Sequence, residues 1–341
     1  MGSEALRVVQ YGLETTHGTN VAADTKLLLV ARLPDTDREV VIPQAQMGVR
    51  TNRLLDSAFT RRVLADGITL ESVEDGMYFE ALPLIFSMGL KASTGTVVTT
   101  GQSDYLWTFA APQTGAETVA SITLEVGDDA QGYEIGYCLA RRITLSGDCD
   151  SGLVSCTVDL FGDRILQTTL TTSVAVPTTA ELMTAKLSQI FVDDTWAGLG
   201  GTELELALVN WQVVIETGVH PKMLGSTSRE FDSHGQNEIQ ATATFTLERT
   251  AAVIAEELLY RPAAAYAVTP RFARLKVTGN QIGTGTYQTL QIDMAGAWMQ
   301  WTPLGTEREG NTLDVAVLQG GYDVTGAQGL SVSVTTRTAS I

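Results

Sequence analysis

Histidine and cysteine are scarce in this chain, with three of each in 341 residues. Cys138, Cys149 and Cys156 cannot build a disulfide framework, and no two of them have CxxC spacing. Cys138 and Cys156 fall on strand-patterned segments, where a small buried thiol is expected rather than redox chemistry. His17, His220 and His234 have no i,i+4 partner and no HExxH setting, so metal ligation has little support and no cofactor is expected. His220 and His234 share one polar loop and are expected to face solvent. No GxSxG, GxxxxGK[ST] or GxGxxG pattern occurs, and Gly283-Thr284-Gly285 reads as a hairpin or loop rather than a phosphate cradle. The nearest carboxylate clusters, Glu71 with Glu74 and Glu256 with Glu257, lie beside strand–helix junctions, where a solvated face explains them. With no activating partner in view, the chain is not expected to be an enzyme.

Bases and long apolar runs are also short. There are 22 Lys and Arg against 39 Asp and Glu, a net charge of −17. A conventional DNA-binding protein draws its affinity from a basic stripe, and none is present. An acidic surface suits a wall past which DNA slides, and equally suits plain solubility. The longest charge-free stretches, 165–180 and 277–292, are Thr-rich and cannot span a bilayer, so no membrane partner is expected. The opening residues Met1 to Arg7 lack an apolar signal core, and Leu6 spoils a myristoylation pattern, which points to synthesis in the cytoplasm.

What the chain does have is period-two alternation between turn residues. Ser121–Val126, Leu153–Val158, Thr312–Val317 and Leu330–Val334 show it clearly, with reversals at Gly127-Asp128-Asp129 and Ser146-Gly147-Asp148. Strands with one polar face imply antiparallel sheets covered on one side. Helical spacing appears twice, over Tyr78–Met88, where Pro83 limits regularity, and over Ala251–Tyr260, ending before Pro262. The fold class is therefore mainly β (α+β).

Each helix follows a strand ending in Leu-Glu, Leu70-Glu71 and Leu247-Glu248. Val40 and Val213, Asp56 and Asp232, and Leu70 and Leu247 are 173, 176 and 177 residues apart, and Gly152–Leu160 matches Gly310–Leu318 in pattern. The order implies tandem duplication: an N-terminal arm over 1–24, a domain over 25–166, a Thr-rich linker over 167–185 and a second domain over 186–341. Each domain is expected to carry one short flanking helix.

Two polar excursions mix bases with large apolar groups. One carries Arg50, Arg53, Leu54, Leu55, Phe59, Arg61 and Arg62; the other carries Lys222, Met223, Arg229 and Phe231. Ordered loops this long are usually functional, and this composition fits docking on an acidic neighbour. Trp107, Trp211, Trp298 and Trp301 lie in strand-like segments, with Trp298 and Trp301 spaced for opposite faces. Trp196 lies in a loop.

Tyr11-Gly12-Leu13-Glu14-Thr15-Thr16-His17-Gly18-Thr19 resembles the opening of siphophage major tail tube proteins. So do Glu80-Ala81-Leu82-Pro83, Tyr105-Leu106-Trp107-Thr108-Phe109 with Pro112, Ile122 to Asp128, and Tyr137-Cys138. The resemblance is clearest over Tyr11–Gly162 and rests on pattern alone beyond. It implies β-sandwiches that close into a ring-shaped β-barrel on assembly, the rings stacking into the tail of a virion built in the host cytoplasm. Six copies of the fold per ring would mean a trimer for a duplicated chain, or a homohexamer if the duplication is illusory. The implied partners are further copies of the chain and the tape-measure, tail-tip and tail-terminator proteins. DNA would pass through the lumen without specific binding. The excursions would then reach neighbouring subunits or rings, and Glu125, Asp159, Asp293 and Asp314 are candidate lumen-facing acids. A carbohydrate- or receptor-binding virion module and a secretion-system tube protein are the competing readings.

Overall fold

The computed structural model describes residues 7–41, 59–72, 76–110, 118–150, 152–177, 179–261 and 268–341. Strand makes up 55% and helix 9%, so the protein is mainly β and is built on a large antiparallel sheet. The first-half strands are β1 (Val8–Leu13), β2 (Thr25–Lys26), β3 (Val30–Arg32), β4 (Arg38–Val41), β5 (Phe59–Val63), β6 (Ala65–Glu71), β7 (Thr96–Val97), β8 (Tyr105–Ala110), β9 (Ile122–Gly127), β10 (Gly132–Asp148), β11 (Val154–Gly162) and β12 (Ile165–Thr168). Helix α1 (Leu82–Gly89) lies between β6 and β7. The second half contains β13 (Ser188–Asp193), β14 (Leu208–Glu216), β15 (Val219–Lys222), β16 (Ser233–Gln236), β17 (Gln240–Glu248), helix α2 (Ala251–Tyr260), β18 (Arg271–Gly283), β19 (Thr286–Arg308), β20 (Asn311–Gly320) and β21 (Leu330–Thr336).

The alternation of the sequence becomes the two faces of these strands. On β11, Val154, Cys156, Val158 and Leu160 are buried while Ser155, Thr157 and Asp159 between them turn the other way. Two strands are long enough to serve two sheets. β10 pairs first with β9 and β12, then with β11 and β14. β19 pairs first with β18 and β21, then with β20.

The order of pairing is the same in both halves: β1–β9–β10–β11–β6–β3, then β13–β18–β19–β20–β17–β14. Even an irregularity recurs. A bulge falls between Ala140 and Arg142 opposite Leu160, and another between Trp298 and Gln300 opposite Leu318, 158 residues further on. The second bulge has a consequence for the tryptophans. Three residues of plain strand would put Trp298 and Trp301 on opposite faces; the extra residue puts both inside, edge to face at 5.1 Å. Trp107 and Trp211 are buried too. The Leu-Glu pairs are not equivalent, however: Leu70 stands opposite Val158, but Leu247 stands opposite Asp314.

The halves are spliced by an antiparallel junction in which β10, Arg142 to Asp148, pairs with β14, Glu216 to Asn210. A second tie is β8, which comes from the first half and pairs with β21. Seventeen strands belong to one network that curls into a barrel-like body. Traced pair by pair it is a branched chain, and among the described residues β3, at one end of the large sheet, pairs with β6 alone. Residues 8–13, expected as part of an arm, instead form β1 against β9. The expected linker is packed along the body: Thr171 bonds to Glu125, Glu181 to Glu80, and Met183 is buried.

Helix α1 follows a single 3-10 turn, Phe79–Ala81, and has Pro83 in its first turn, where a missing N–H costs little. All eight of its residues are buried. Helix α2 is capped by the Thr250 hydroxyl, which accepts from the Val253 N–H at 3.3 Å, and buries only Val253 and Glu256.

Candidate assembly surface

The outward face of the large sheet is laid out in cross-strand rows. One row runs Ser155, Ser146, Gln212, Thr244, Val317, Gln300 across β11, β10, β14, β17, β20 and β19. The next runs Glu71, Thr157, Thr144, Val214, Thr242, Gln319. Hydroxyls and amides bond along the rows, Ser146 to Ser155 at 2.7 Å and the Thr242 hydroxyl donating to the Gln319 carbonyl oxygen at 3.0 Å. Charge on this face is carried in pairs: Arg142 with Glu216 at 2.5 Å and with Asp159 at 3.8 Å, and Arg32 with Glu71 at 3.0 Å. Such exposed pairs add little stability, but they cancel charge locally. A shallow groove on this face, lined by Ser146, Asp148, Ser155, Asn210 and Gln212, has Trp211 as its one aromatic, and that ring is buried.

Of the four acids expected to line a lumen, only Asp159 lies on this face. The other three are corrected by burial. Glu125 is enclosed, accepting from Thr171 N at 2.8 Å, Thr171 Oγ1 at 2.7 Å, Gln10 Nε2 at 2.7 Å and Ala23 N at 3.2 Å. Burial works to raise its pKa, yet these donors together hold the carboxyl below its ordinary value. Asp293 forms a bidentate pair with Arg274 at 2.7 and 2.9 Å. Asp314 is fully buried, taking Arg249 Nη1 on both oxygens, the Trp301 indole N–H at 3.1 Å and Leu304 N at 3.1 Å. In period-two strands these acids look solvent-facing; their Arg, Trp and Thr partners come from residues far away in sequence. Glu256 is likewise buried rather than solvated, bonded to Arg271 and to the Trp298 indole, and Glu257 pairs with Arg249 at 2.8 Å.

The two excursions begin as two-stranded hairpins, β4–β5 and β15–β16. Arg50, Arg53, Leu54 and Leu55 lie outside the described residues. Phe59 opens β5, and Arg61 and Arg62 both pair with Glu39, at 3.1 and 2.8 Å. In the second excursion Lys222, Met223 and Arg229 are exposed, as an intermolecular element would require. Phe231 is a correction: it is buried within its own chain, 4.6 Å from the Tyr137 ring and 5.6 Å from Phe161. This arm is pinned to the first half. Val63 N donates to Arg229 O at 2.8 Å, and Arg164 pairs with Glu230 at 3.1 Å.

The histidines also belong to this docking, not to open solvent. His234 Nδ1 is 3.0 Å from the Tyr137 hydroxyl, and the His17 ring stacks on Tyr137 and meets His234 edge-on at 5.0 Å. Burial, with help from His17, Lys222 and His220, keeps His234 below the ordinary imidazole pKa. Partners more than 90 residues apart left no local signal of this cluster in the sequence.

Two margins of the run of strands from β3 to β19 have no strand partner among the described residues. One is β3, on the side away from β6; the other is β19 beyond Met299, on the side away from β20. Exposed apolar groups gather by the second: Met299 (62% exposed), Leu304 and, on α2, Leu258 (63%). Among the described residues no three His, Cys, Asp or Glu gather to hold a metal, and no helix is long and apolar enough to cross a membrane. No family model matches the chain, and no curated protein matches its sequence.

Proposed function

We propose that this protein is a structural subunit that polymerises as stacked rings into a hollow tube, the tail tube of a siphophage, through which DNA passes. The observation that carries the reading is the twofold recurrence of one strand-pairing order, spliced at β10–β14 and left open at both outer margins. A tandem duplication accounts for the recurrence, down to the shared bulge. Unfilled margins of this kind favour addition of further copies, and a closed ring removes every edge. Three two-domain chains would give a ring of pseudo-sixfold symmetry. The body carries no catalytic role in this reading.

The polar face is the candidate lumen wall. Its hydroxyls, amides and paired charges offer DNA neither the basic stripe that would hold it nor a dense field of unpaired acid. The wall is therefore proposed as polar and charge-compensated rather than acid-lined, with the surplus negative charge elsewhere on the subunit. The buried state of Trp211 in the polar groove weakens the sugar-binding alternative, which needs an exposed aromatic platform. Negative-stain microscopy of the concentrated protein tests the proposal. Hollow rings or cylinders are expected; solid particles that bind glycans on an array would replace this reading with the receptor-binding one.

A further inference from the structure

We infer that the β19 margin from Met299 to Thr302 pairs antiparallel with the segment from β3 to Asp37 of a second copy of this chain, Thr302 lying opposite Pro34 and Gln300 opposite Thr36. This rests on the tube reading above and names the two edges that close the ring.

The register comes from the junction inside the chain. The matching bulges make Ala140 the counterpart of Trp298, and therefore Thr144 that of Thr302. On the other side, Ile68 faces Leu160 and Ala243 faces Leu318, so Leu70 and Phe245 correspond. Leu70 faces Ala31 while Phe245 faces Trp211, which makes Pro34 the counterpart of Val214. Within the chain Thr144 lies opposite Val214 and Arg142 opposite Glu216. Carried to the outer margins, those pairs become Thr302 with Pro34 and Gln300 with Thr36.

Three observations at the β19 margin agree. The carbonyl of Arg141 accepts from Thr217 N at 3.0 Å across the inner junction. Its counterpart, the Met299 carbonyl, accepts from the Tyr260 hydroxyl at 3.5 Å, and the next outward carbonyl, Trp301, is held by the Arg261 side chain at 3.0 Å. These α2 side chains occupy places that backbone N–H groups fill at the inner junction. Pro303, which lacks an N–H, is tolerated in a margin and not in a sheet centre, and leaves the outer ladder one bond shorter. Finally, the helix beside the closed junction is wholly buried, with Gly89 so near Thr217 and Ala140 that a Cβ would meet them at 2.6 and 3.3 Å. The helix beside the open margin leaves Ile254, Leu258 and Leu259 exposed. A second copy seated on the margin covers them. The polar rows also continue across the seam, Gln300 meeting Thr36 where Arg142 meets Glu216.

The test uses the full chain with Cys149→Ser, which removes the one cysteine that is not buried. Thr302→Cys is combined with Pro34→Cys, and separately with Arg38→Cys. Directly opposed residues in antiparallel strands have Cα atoms about 4.5–5.5 Å apart, within disulfide range, whereas four residues of slippage adds about 13 Å. Mild oxidation of assembled particles is expected to give covalent dimers and trimers on non-reducing gels for the first pair, and none for the second. Gln300→Cys with Thr36→Cys provides an independent in-register pair should Pro34→Cys disturb folding. Hollow particles in which neither in-register pair links would overturn the edge assignment and leave the tube reading standing. Failure of the unsubstituted protein to form hollow particles, with no links in either pair, would overturn both.

Discussion

Helices α1 and α2 follow equivalent strands and pack on equivalent long strands, β10 and β19, yet one is sealed and the other is half bare. Leu84, Ile85 and Phe86 of α1 are at most 1% exposed, whereas Leu258 of α2 is 63% exposed. The difference follows what lies beyond each long strand. Past β10 stands β14; past the end of β19, no described strand follows. α1 is also covered within its own half by β8, whose Phe109 ring lies 5.6 Å from Phe86, and by Ala120, whose N–H donates to Ser87 O at 2.9 Å; on the assembly reading, a second copy supplies the cover that α2 lacks.

The largest effects should come from breaking the interior on either side of this comparison. Asp314→Ala removes the carboxylate shared by Arg249, Trp301 and Leu304 N, leaving the indole and Leu304 N–H groups unpaired and Arg249 with Glu257 alone. Breaking a buried pair in this way is expected to cost about 3–5 kcal/mol in chemical denaturation. Cys156→Ala, at the counterpart of Asp314 in the first half, loses packing alone and should cost less than half of that. Phe86→Ala in the sealed helix should cost about 3–5 kcal/mol by the same measurement.

Next comes the inner junction. A Cβ on Gly147 would meet the Trp211 ring at 2.8 Å, so Gly147→Val is expected to lose about 1–3 kcal/mol through overpacking. No glycine stands at the corresponding place on β19: a second irregularity, between Thr302 and Thr306, brings Glu307 opposite Thr312 where Gly147 stands opposite Val154. Leu258→Glu sharpens the contrast further. It is expected to shift isolated-chain stability by no more than about 0.5 kcal/mol, being exposed, while abolishing hollow particles in the microscope.

The smallest effect is one of pH. His234, held below the ordinary imidazole value of 6.5, is neutral above that pH in both folded and unfolded chains. As pH falls, the unfolded chain takes up the proton first, so the docking of the β15–β16 arm loses stability on acidification. The groups facing it, His17, His220 and Lys222, oppose the added charge, and Tyr137 bears on it through its hydroxyl. Proteolysis in the exposed 222–229 segment should quicken between pH 7 and pH 5, and His234→Gln should flatten that dependence.

Much of the fold was legible in the sequence because period-two alternation is a local signal, and so were both helices: α2 spans the expected Ala251–Tyr260, and α1, Leu82–Gly89, starts four residues inside the expected Tyr78–Met88 and ends one residue past it. Other features escaped because they depend on long-range pairing. The bulge that turns Trp298 and Trp301 to one face is set by β20, and the burial of Glu125, Asp293 and Asp314 is set by partners on other elements. The Leu-Glu repeat pointed to equivalent strands, yet its register is displaced by two residues: Leu70 faces Val158, whereas Leu247 faces Asp314, the counterpart of Cys156. Of the residues expected to make contacts between subunits, Lys222, Met223 and Arg229 are exposed, whereas Phe231 anchors its own chain.

Amide hydrogen exchange across Met299–Thr306, followed in isolated chains and in assembled particles, measures the completion of the outer margin most directly. Assembly should slow exchange at Met299 and Trp301 toward the protection of Arg141 and Ile143, their counterparts at the inner junction. Exchange that stays as fast in hollow particles as in free chains would contradict the account.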